Sequence, residues 1–174
     1  MIELILGGAR SGKSQLAEQR ASASQQRVVY IATAQRMDGE MSERIAHHQS
    51  RRPEHWATVE EPVALAQALQ EVDAPNTLIL VDCLTLWISN LLCLDNGSHF
   101  EEHKTALLTT LPRLQSDLIL VSNETGMGVV PMGELTRRFV DESGWLHQDL
   151  AALADTVTLA VAGLSHQLKP AVHS

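Results

Sequence analysis

The sequence predicts an α/β fold in which an open, mostly parallel sheet lies between helices on both of its faces, giving three layers. Short runs rich in Val, Ile and Leu recur along the chain without clean polar alternation, as is typical of strands covered on both faces. Stretches with helical character separate these runs. Because strands alternate with helices, parallel pairing through right-handed crossover connections is favoured.

Each element can be placed along the chain. The predicted strands are Ile2–Leu6, Val28–Ala32, Leu78–Val81, Leu118–Ser122 and Thr156–Ala162. The predicted helices are Lys13–Ala21, Gly39–Ser50, Val63–Val72, Leu84–Leu94, His103–Leu111 and Gly144–Ala154. Ligands of such sheets collect at the carboxyl ends of the strands. The loops expected to share that rim are Gly7–Ser14, Thr33–Asp38, Asp82–Thr85 and Asn123–Pro131.

Length and composition fit a single domain covering residues 1–174. The formal charge is −8 and no basic stripe is present, which argues against nucleic-acid binding. No apolar run approaches the roughly 20 residues that span a bilayer, and no basic-then-apolar leader opens the chain. We therefore expect a cytoplasmic protein without a membrane span. Cys83 and Cys93 are too far apart for a C-x-x-C motif, and reduced core thiols are expected.

A phosphate-binding loop follows the first predicted strand. The segment GGARSGKS fits the pattern G-x-x-x-x-G-K-[S/T]. Its glycines let backbone N–H groups face phosphate oxygens, Lys13 can reach the outer phosphates, and the Ser14 hydroxyl can ligate Mg²⁺. The alternative, a plain glycine-rich turn, is disfavoured by the fixed spacing. The motif therefore predicts a P-loop NTPase-like fold. The residues predicted to bind a nucleoside triphosphate are Gly7, Gly8, Ala9, Arg10, Ser11, Gly12, Lys13 and Ser14.

Acidic residues lie at the ends of two further segments near this rim, LILVD and TVEE. Asp82 ends the run LILVD, where a P-loop enzyme holds a carboxylate directed at Mg²⁺. It could instead cap the helix beginning near Leu84, and we favour the metal role because the P-loop is present. Glu60 and Glu61 could contact a ribose or a metal, but taken alone they fit a helix N-terminus better.

The segment DGEMSERIAHHQSRRPEHW carries a cationic stripe. Read as a helix, it places Arg44, His48 and Arg52 on one face, whereas His47 lies about 100° away. Such a stripe suits a polyphosphate, although a solvated face is nearly as good an explanation. Like charge on both sides disfavours the imidazolium of His48, so its ring stays neutral and nucleophilic near neutral pH.

The loop Asn123–Pro131 has the sequence NETGMGVVP, which contains two glycines and ends in a proline. The glycines permit unusual backbone angles and the proline stops a helix. A polar, glycine-bearing loop on the ligand rim is better explained as a substrate loop than as a plain connection.

Five segments of the chain are informative when taken together: GGARSGKS, YIATAQ, E-M-x-x-R-I-x-H-H-x-x-x-R-P, VDCLTLWISNLL and SNETGMGVVP. As a set they resemble the bifunctional adenosylcobinamide kinase / adenosylcobinamide-phosphate guanylyltransferase family of cobalamin biosynthesis. The likeness runs from residue 2 to about residue 165. Members of this family phosphorylate the aminopropanol hydroxyl of adenosylcobinamide. They then transfer GMP from GTP to that phosphate through a GMP–histidine intermediate, which gives adenosylcobinamide-GDP.

The resemblance implies roles for residues of this chain. His48 would be the guanylylated histidine, because the family places it four residues after the arginine of R-I; His47 is the second choice. Lys13 would be catalytic, and Ser14 and Asp82 would hold Mg²⁺. Beyond the P-loop, the guanine-nucleotide site would comprise Ala32, Thr33, Ala34, Gln49, Ser50, Arg51, Arg52, Glu60 and Asp82.

The resemblance also implies GTP as the nucleotide, with ATP as an alternative for the kinase step, and a homotrimer that binds adenosylcobinamide. Two other functions are weighed against it. A GTP-binding regulatory protein is disfavoured because the chain lacks a T-K-x-D guanine-reading motif. A small-molecule P-loop kinase without transferase activity would lack the role assigned to His48.

Overall fold

A seven-stranded sheet forms the centre of the computed structural model, which describes residues 1–34, 53 and 55–170. The strands are β1 (Ile2–Gly7), β2 (Arg27–Ala32), β3 (Ala57–Glu60), β4 (Thr77–Asp82), β5 (Asp117–Asn123), β6 (Thr156–Val161) and β7 (Leu164–Lys169). Their spatial order is β3-β2-β4-β5-β1-β6-β7. All neighbours pair in parallel except β6 and β7, which form an antiparallel hairpin.

The described helices are α1 (Lys13–Ala23), α2 (Leu65–Val72), α3 (Leu84–Cys93), α4 (Phe100–Thr110) and α5 (Glu134–Leu153). Short 3-10 turns follow α3 and α4, at Leu94–Gly97 and Leu111–Arg113. Among the helices in the described ranges, none is both long and apolar enough to cross a membrane.

Two apolar clusters lie on opposite faces of the sheet, because successive strand residues point to opposite sides. Val121 of β5 belongs to the cluster that includes Ala17 and Ala21 of α1. The preceding residue, Leu120, belongs to the cluster that contains Trp87 of α3 and buried residues of α2, α4 and α5. Helices therefore cover both faces, and the predicted three-layer α/β fold is confirmed.

The sequence misses two strands and misplaces some boundaries. Strand β3 is only four residues long, and it and β7 are mostly exposed, so neither has the apolar run that marks the central strands. Helix α5 begins at Glu134 and not at Gly144, since its first turns are exposed and give no apolar periodicity. Helix α4 likewise begins at Phe100. The predicted helix Gly39–Ser50 lies outside the described residues.

Candidate functional site

Four parallel strands end at one edge of the sheet, at Gly7, Ala32, Asp82 and Asn123. Their register fixes the relative positions: Ala32 pairs with Asp82, and Gly7 pairs with Asn123. This is the rim that the sequence predicts. Of the predicted loop Thr33–Asp38, only residues 33 and 34 lie in the described ranges.

The P-loop connects β1 to α1 at this rim. Arg10 and Gly12 have positive φ angles of 55° and 93°, which turn the chain sharply before the helix. Gly12 occupies the N-cap position, and no side chain caps the helix. The first N–H groups of α1 are thus without a capping side chain and suit an anion. The Lys13 ammonium donates to the carbonyl of Gly8 at 3.3 Å, so it lies folded over the loop.

The turn between β6 and β7 supports the P-loop from outside. The N–H of Gly163 donates to the carbonyl of Ser11 at 2.9 Å. A Cβ atom built on Gly12 would lie 3.1 Å from the Cα of Gly163. Glycine is therefore required at position 12 for both its backbone angle and this close approach. This contact could not be predicted from local sequence patterns, because it joins segments far apart in the chain.

Asp82 projects from the end of β4 and is oriented by Tyr30. The Tyr30 hydroxyl donates to Oδ2 of Asp82 at 3.0 Å. Helix α3 has Cys83 as its N-cap residue, without a side-chain capping bond, so the alternative in which Asp82 caps this helix is wrong. Tyr30 was missed as a site residue. Its position two residues before Ala32 in β2, hence on the same face of the strand, is the signal that could have found it.

The segment Ala32–Ala34 is fixed by hydrogen bonds to its neighbours. The hydroxyl of Thr33, which is fully buried, donates to the carbonyl of Cys83 at 2.6 Å and accepts from its N–H at 3.1 Å. The side-chain amide of Asn90 donates to the carbonyls of Thr33 and Pro62. The Thr33 side chain thus joins the segments that follow β2 and β4.

Glu60 and Glu61 have different surroundings. Glu60 ends β3, is exposed, and pairs in register with Ala32, so it lies in one row with Ala32 and Asp82. The carboxylate of Glu61 accepts hydrogen bonds from the N–H groups of Val63 and Ala64, both at 2.8 Å, just before α2. The helix-terminus interpretation therefore holds for Glu61.

The residues predicted to hold Mg²⁺ are chemically suited to it. Mg²⁺ is usually bound by one or two protein oxygens together with substrate phosphates and water. Ser14 in the first turn of α1 and Asp82 at the end of β4 provide such a hydroxyl and carboxylate. In the described part of the chain, no group of three or more His, Cys, Asp or Glu side chains could form an all-protein metal cage.

The two cysteines differ from each other. Burial and the nearby Asp82 carboxylate raise the pKa of the Cys83 thiol to about 11, so it stays neutral and is a poor metal ligand. Cys93 is exposed at the end of α3. The expectation of a core thiol is therefore wrong for Cys93, because it lies on the outer side of a helix whose apolar face is turned inward.

Strand β5 ends in two polar residues, Ser122 and Asn123, which point to opposite faces of the sheet. The ring Nε2 of His147, on α5, lies 2.7 Å from the Ser122 hydroxyl in a buried hydrogen bond. Burial lowers the pKa of His147, and the nearby Glu124 carboxylate partly opposes this. Glu124 also accepts hydrogen bonds from the N–H groups of Gly126 and Met127, which shapes the start of the predicted substrate loop.

The predicted loop Asn123–Pro131 exposes apolar side chains beside the rim. Met127 is 77% exposed, Val129 96% and Val130 66%. A further set of predicted site residues falls outside the described ranges. These are His47, His48, Gln49, Ser50, Arg51 and Arg52.

Comparisons with known proteins agree with this architecture. The family model described as "Cobinamide kinase / cobinamide phosphate guanyltransferase" matches residues 3–168. The bifunctional adenosylcobalamin biosynthesis protein CobP of Pseudomonas aeruginosa is 57% identical over 169 residues, covering 97% of this chain and 98% of the relative. The bifunctional adenosylcobalamin biosynthesis protein CobU of Escherichia coli is 39% identical over 183 residues, covering 97% of this chain and 100% of the relative.

A solved structure supports the fold alone. The flagellar accessory protein FlaH from Methanocaldococcus jannaschii has a TM-score of 0.52 and 14% sequence identity, with 98% of this chain and 78% of that chain covered. With a P-loop at the rim of a parallel sheet and a family match over nearly its whole length, the chain belongs to the cobinamide kinase / cobinamide phosphate guanyltransferase family and is a bifunctional kinase and guanylyltransferase.

Proposed function

We propose that one GTP site, on the α1 side of the rim, serves both reactions in adenosylcobalamin biosynthesis. The observation that carries this proposal is the placement of the P-loop beside the Asp82–Tyr30 pair. Asp82 pairs with Val121, which packs in the α1 cluster, so Asp82 lies on the same face of the sheet as the P-loop helix. Phosphate-binding N–H groups and a carboxylate that could be directed at Mg²⁺ thus lie on the same face of the rim, with only β5 between their strands.

In the kinase reaction, the chain's own residues bind and orient the triphosphate. The N–H groups of Gly8–Ser14 surround its phosphates, and Lys13 leaves the carbonyl of Gly8 to neutralise charge that develops on the transferred phosphoryl group. Ser14 and Asp82 would hold Mg²⁺, which supplies further charge neutralisation when bound. The phosphoryl acceptor is the aminopropanol hydroxyl of adenosylcobinamide, and ATP is an alternative donor.

In the guanylyl transfer, His48 attacks the α-phosphorus of GTP and pyrophosphate leaves, which forms a GMP–histidine intermediate. The phosphate of adenosylcobinamide phosphate then takes the GMP and gives adenosylcobinamide-GDP. A histidine nucleophile divides one displacement into two easier ones. Support comes from the sequence, where Arg44 and Arg52 flank His48 at helical spacing. His47 is the second choice, and Gln49, Ser50, Arg51, Arg52, Ala32–Ala34 and Glu60 are proposed to contact the nucleotide.

The corrinoid is proposed to contact the loop Asn123–Pro131. This loop begins beside Gly7 and exposes Met127, Val129 and Val130, which provide an apolar surface next to the transferred phosphate. If so, the double variant M127S/V129S should raise the KM for adenosylcobinamide about tenfold, since it removes two apolar contacts, and leave the KM for the nucleotide unchanged. An unchanged corrinoid KM would exclude this loop.

We also propose a single domain over residues 1–174 and a cytoplasmic location.

The protein is further proposed to form a homotrimer. Exposed apolar residues on the β6–β7 hairpin, Val161, Leu164 and Leu168, support a subunit contact. Light scattering measures the mass directly, and a monomeric mass would exclude the trimer.

Labelling with α-labelled GTP tests the shared site. Wild-type protein with Mg²⁺ should retain an acid-labile, alkali-stable label. H48N should lose it and H47N should keep it; the reverse pattern would assign the nucleophile to His47. Complete absence of label on the wild-type protein would exclude the histidine intermediate. K13A should abolish phosphorylation of adenosylcobinamide, and undiminished turnover would exclude the P-loop as the phosphate site.

The other functions weighed from the sequence make different predictions in the same experiment. A kinase without transferase activity would phosphorylate the corrinoid and take up no label. A GTP-binding regulatory protein would bind GTP with neither phosphorylation nor labelling.

A further inference from the structure

Asn123 lies between the P-loop and Asp82 on the α1 face of the sheet. It is the last residue of β5 and pairs in register with Gly7, the last residue of β1. Because Val121, two residues earlier, packs in the α1 cluster, the Asn123 side chain projects to that same face. Neighbouring strands lie about 4.8 Å apart, so the amide stands directly beside the start of the phosphate loop.

The backbone of Asn123 is held independently of its side chain. Its N–H donates to the hydroxyl of Thr85 at 2.7 Å, and the N–H of Glu124 donates to the carbonyl of Gly7 at 3.0 Å. These bonds join β5 to α3 and to β1. Truncating the Asn123 side chain would leave both of them in place.

The side-chain carbonyl of Asn123 is buried and lacks a hydrogen-bond partner within the described ranges. The hydroxyl of Ser11, in the P-loop, is also buried without a hydrogen-bond partner in the described residues. A Cβ atom built on Gly7 would lie 2.4 Å from the oxygen of this hydroxyl. Buried polar atoms in folded proteins are nearly all hydrogen-bonded, so an exception beside a ligand site calls for a ligand atom as its partner.

The chemistry of the substrates selects that partner. An amide oxygen only accepts hydrogen bonds, and the phosphates of a nucleotide at neutral pH offer mainly acceptors. The hydroxyl that receives the phosphoryl group is a donor, and it has to lie beside the terminal phosphate. We propose that Oδ1 of Asn123 accepts a hydrogen bond from this hydroxyl and orients it for attack, which makes Asn123 a catalytic residue of the kinase step. This inference rests on the proposed placement of the triphosphate in the P-loop.

The step balances without Asn123 gaining or losing a proton. The hydroxyl oxygen forms a bond to the γ-phosphorus while the bond from that phosphorus to the β,γ-bridging oxygen breaks, and the nucleoside diphosphate leaves with the electron pair. The hydroxyl proton passes to an oxygen of the transferred phosphoryl group or to solvent. The amide fixes the direction of the attacking lone pair, as water-positioning amides do in other P-loop enzymes.

Two variants of the full-length protein test this role. N123A removes the acceptor, and N123D keeps an oxygen acceptor at the same position. N123A should lower the kcat of the kinase reaction about 100-fold, with the KM for the Mg²⁺–nucleotide changed less than about threefold. The fold-decrease in labelling by α-labelled GTP should be at least about ten times smaller than the fold-decrease in the kinase rate. At saturating nucleotide, the kcat of N123D should be at least about tenfold higher than the kcat of N123A.

N90A is the matched control for a structural effect of losing an asparagine at this rim. The side-chain N–H groups of Asn90 donate to the carbonyls of Thr33 and Pro62, so N90A should lower the thermal midpoint and reduce both reactions by similar factors. A loss in N123A that follows the N90A pattern would overturn the proposal, and so would a kinase kcat within threefold of the wild type. A raised Mg²⁺ requirement in N123A would overturn it too, since the amide would then hold a metal-bound water.

The same assays separate this inference from the proposed function. If K13A retains full kinase activity, the triphosphate is not in the P-loop and the proposed function fails. If K13A is inactive and N123A is not, only the role of Asn123 fails.

Discussion

Asp73 at the amino edge of the sheet and two polar side chains at its carboxyl edge differ in whether they find hydrogen-bond partners within the chain. At the amino edge, the Asp73 carboxylate accepts hydrogen bonds from the N–H groups of Gln115 and Ser116 and from the Ser116 hydroxyl, at 2.7 to 3.1 Å. At the carboxyl edge, buried oxygens of Ser11 and Asn123 have no partner among residues 1–34, 53 and 55–170. Hydrogen bonds that are complete within the chain stabilise the fold, whereas incomplete ones leave capacity for a ligand.

This contrast predicts that variants at the two edges separate activity from stability. The largest effect is expected for K13A at the carboxyl edge. Loss of the ammonium should abolish measurable kinase turnover, a fall of at least about 10²- to 10³-fold in kcat, because the ammonium neutralises charge that develops in the transition state. The unfolding midpoint in urea should hardly move, since Lys13 makes one long hydrogen bond to the carbonyl of Gly8. A large fall in the urea midpoint of K13A would contradict the separation of activity from stability between the two edges.

Y30F should have a smaller effect on activity than K13A or N123A. The hydroxyl donates to Asp82 at 3.0 Å, so its removal leaves the carboxylate less well oriented. Partners that orient a metal ligand typically contribute 10- to 100-fold, and we expect about tenfold weaker Mg²⁺ activation of the kinase reaction. A Mg²⁺ titration of the kinase rate measures this. An unshifted titration would mean that Asp82 does not act on the metal.

D73A at the amino edge should show the opposite pattern. Burial acts to raise the pKa of Asp73, but hydrogen bonds from Ser116 and Gln115 outweigh it and hold the pKa below its ordinary value. The carboxylate is therefore stabilised in the folded state. We expect D73A to lower the free energy of unfolding by about 1–3 kcal/mol, with kcat unchanged. Urea denaturation and steady-state kinetics measure the two quantities, and a reduced kcat in a folded D73A protein would contradict the separation.

The smallest effect concerns pH and His147. Burial lowers its folded pKa below the ordinary value of 6.5. The unfolded chain binds a proton first as pH falls, so stability is complete above about pH 6.5 and declines from there towards the folded pKa. H147Q, which can keep a hydrogen bond to Ser122, should remove part of this decline. Urea midpoints of both proteins at pH 7.5 and 5.5 measure it, and equal slopes would exclude His147 as the titrating group.

The central part of the fold could be predicted because its signals are local. The apolar runs LILVD and LILVS mark strands buried on both faces, and the P-loop spacing fixes the turn between β1 and α1. The edge strands were missed because an exposed strand such as β7 has no apolar run. The Tyr30–Asp82 bond and the contact of Gly163 with the P-loop were missed because each depends on strand order, which the sequence alone does not reveal.

The contact between Gly163 and Ser11 has a consequence for synthesis of the protein on the ribosome. Strand β1 and the P-loop emerge early, but both strands that flank β1, β5 and β6, follow much later, as does the turn that holds Gly12 in place. Contacts between distant segments form slowly and only once both are available. The growing chain should therefore be unable to hold a nucleotide until the β6–β7 hairpin has left the exit tunnel, so that phosphate binding marks a completed sheet.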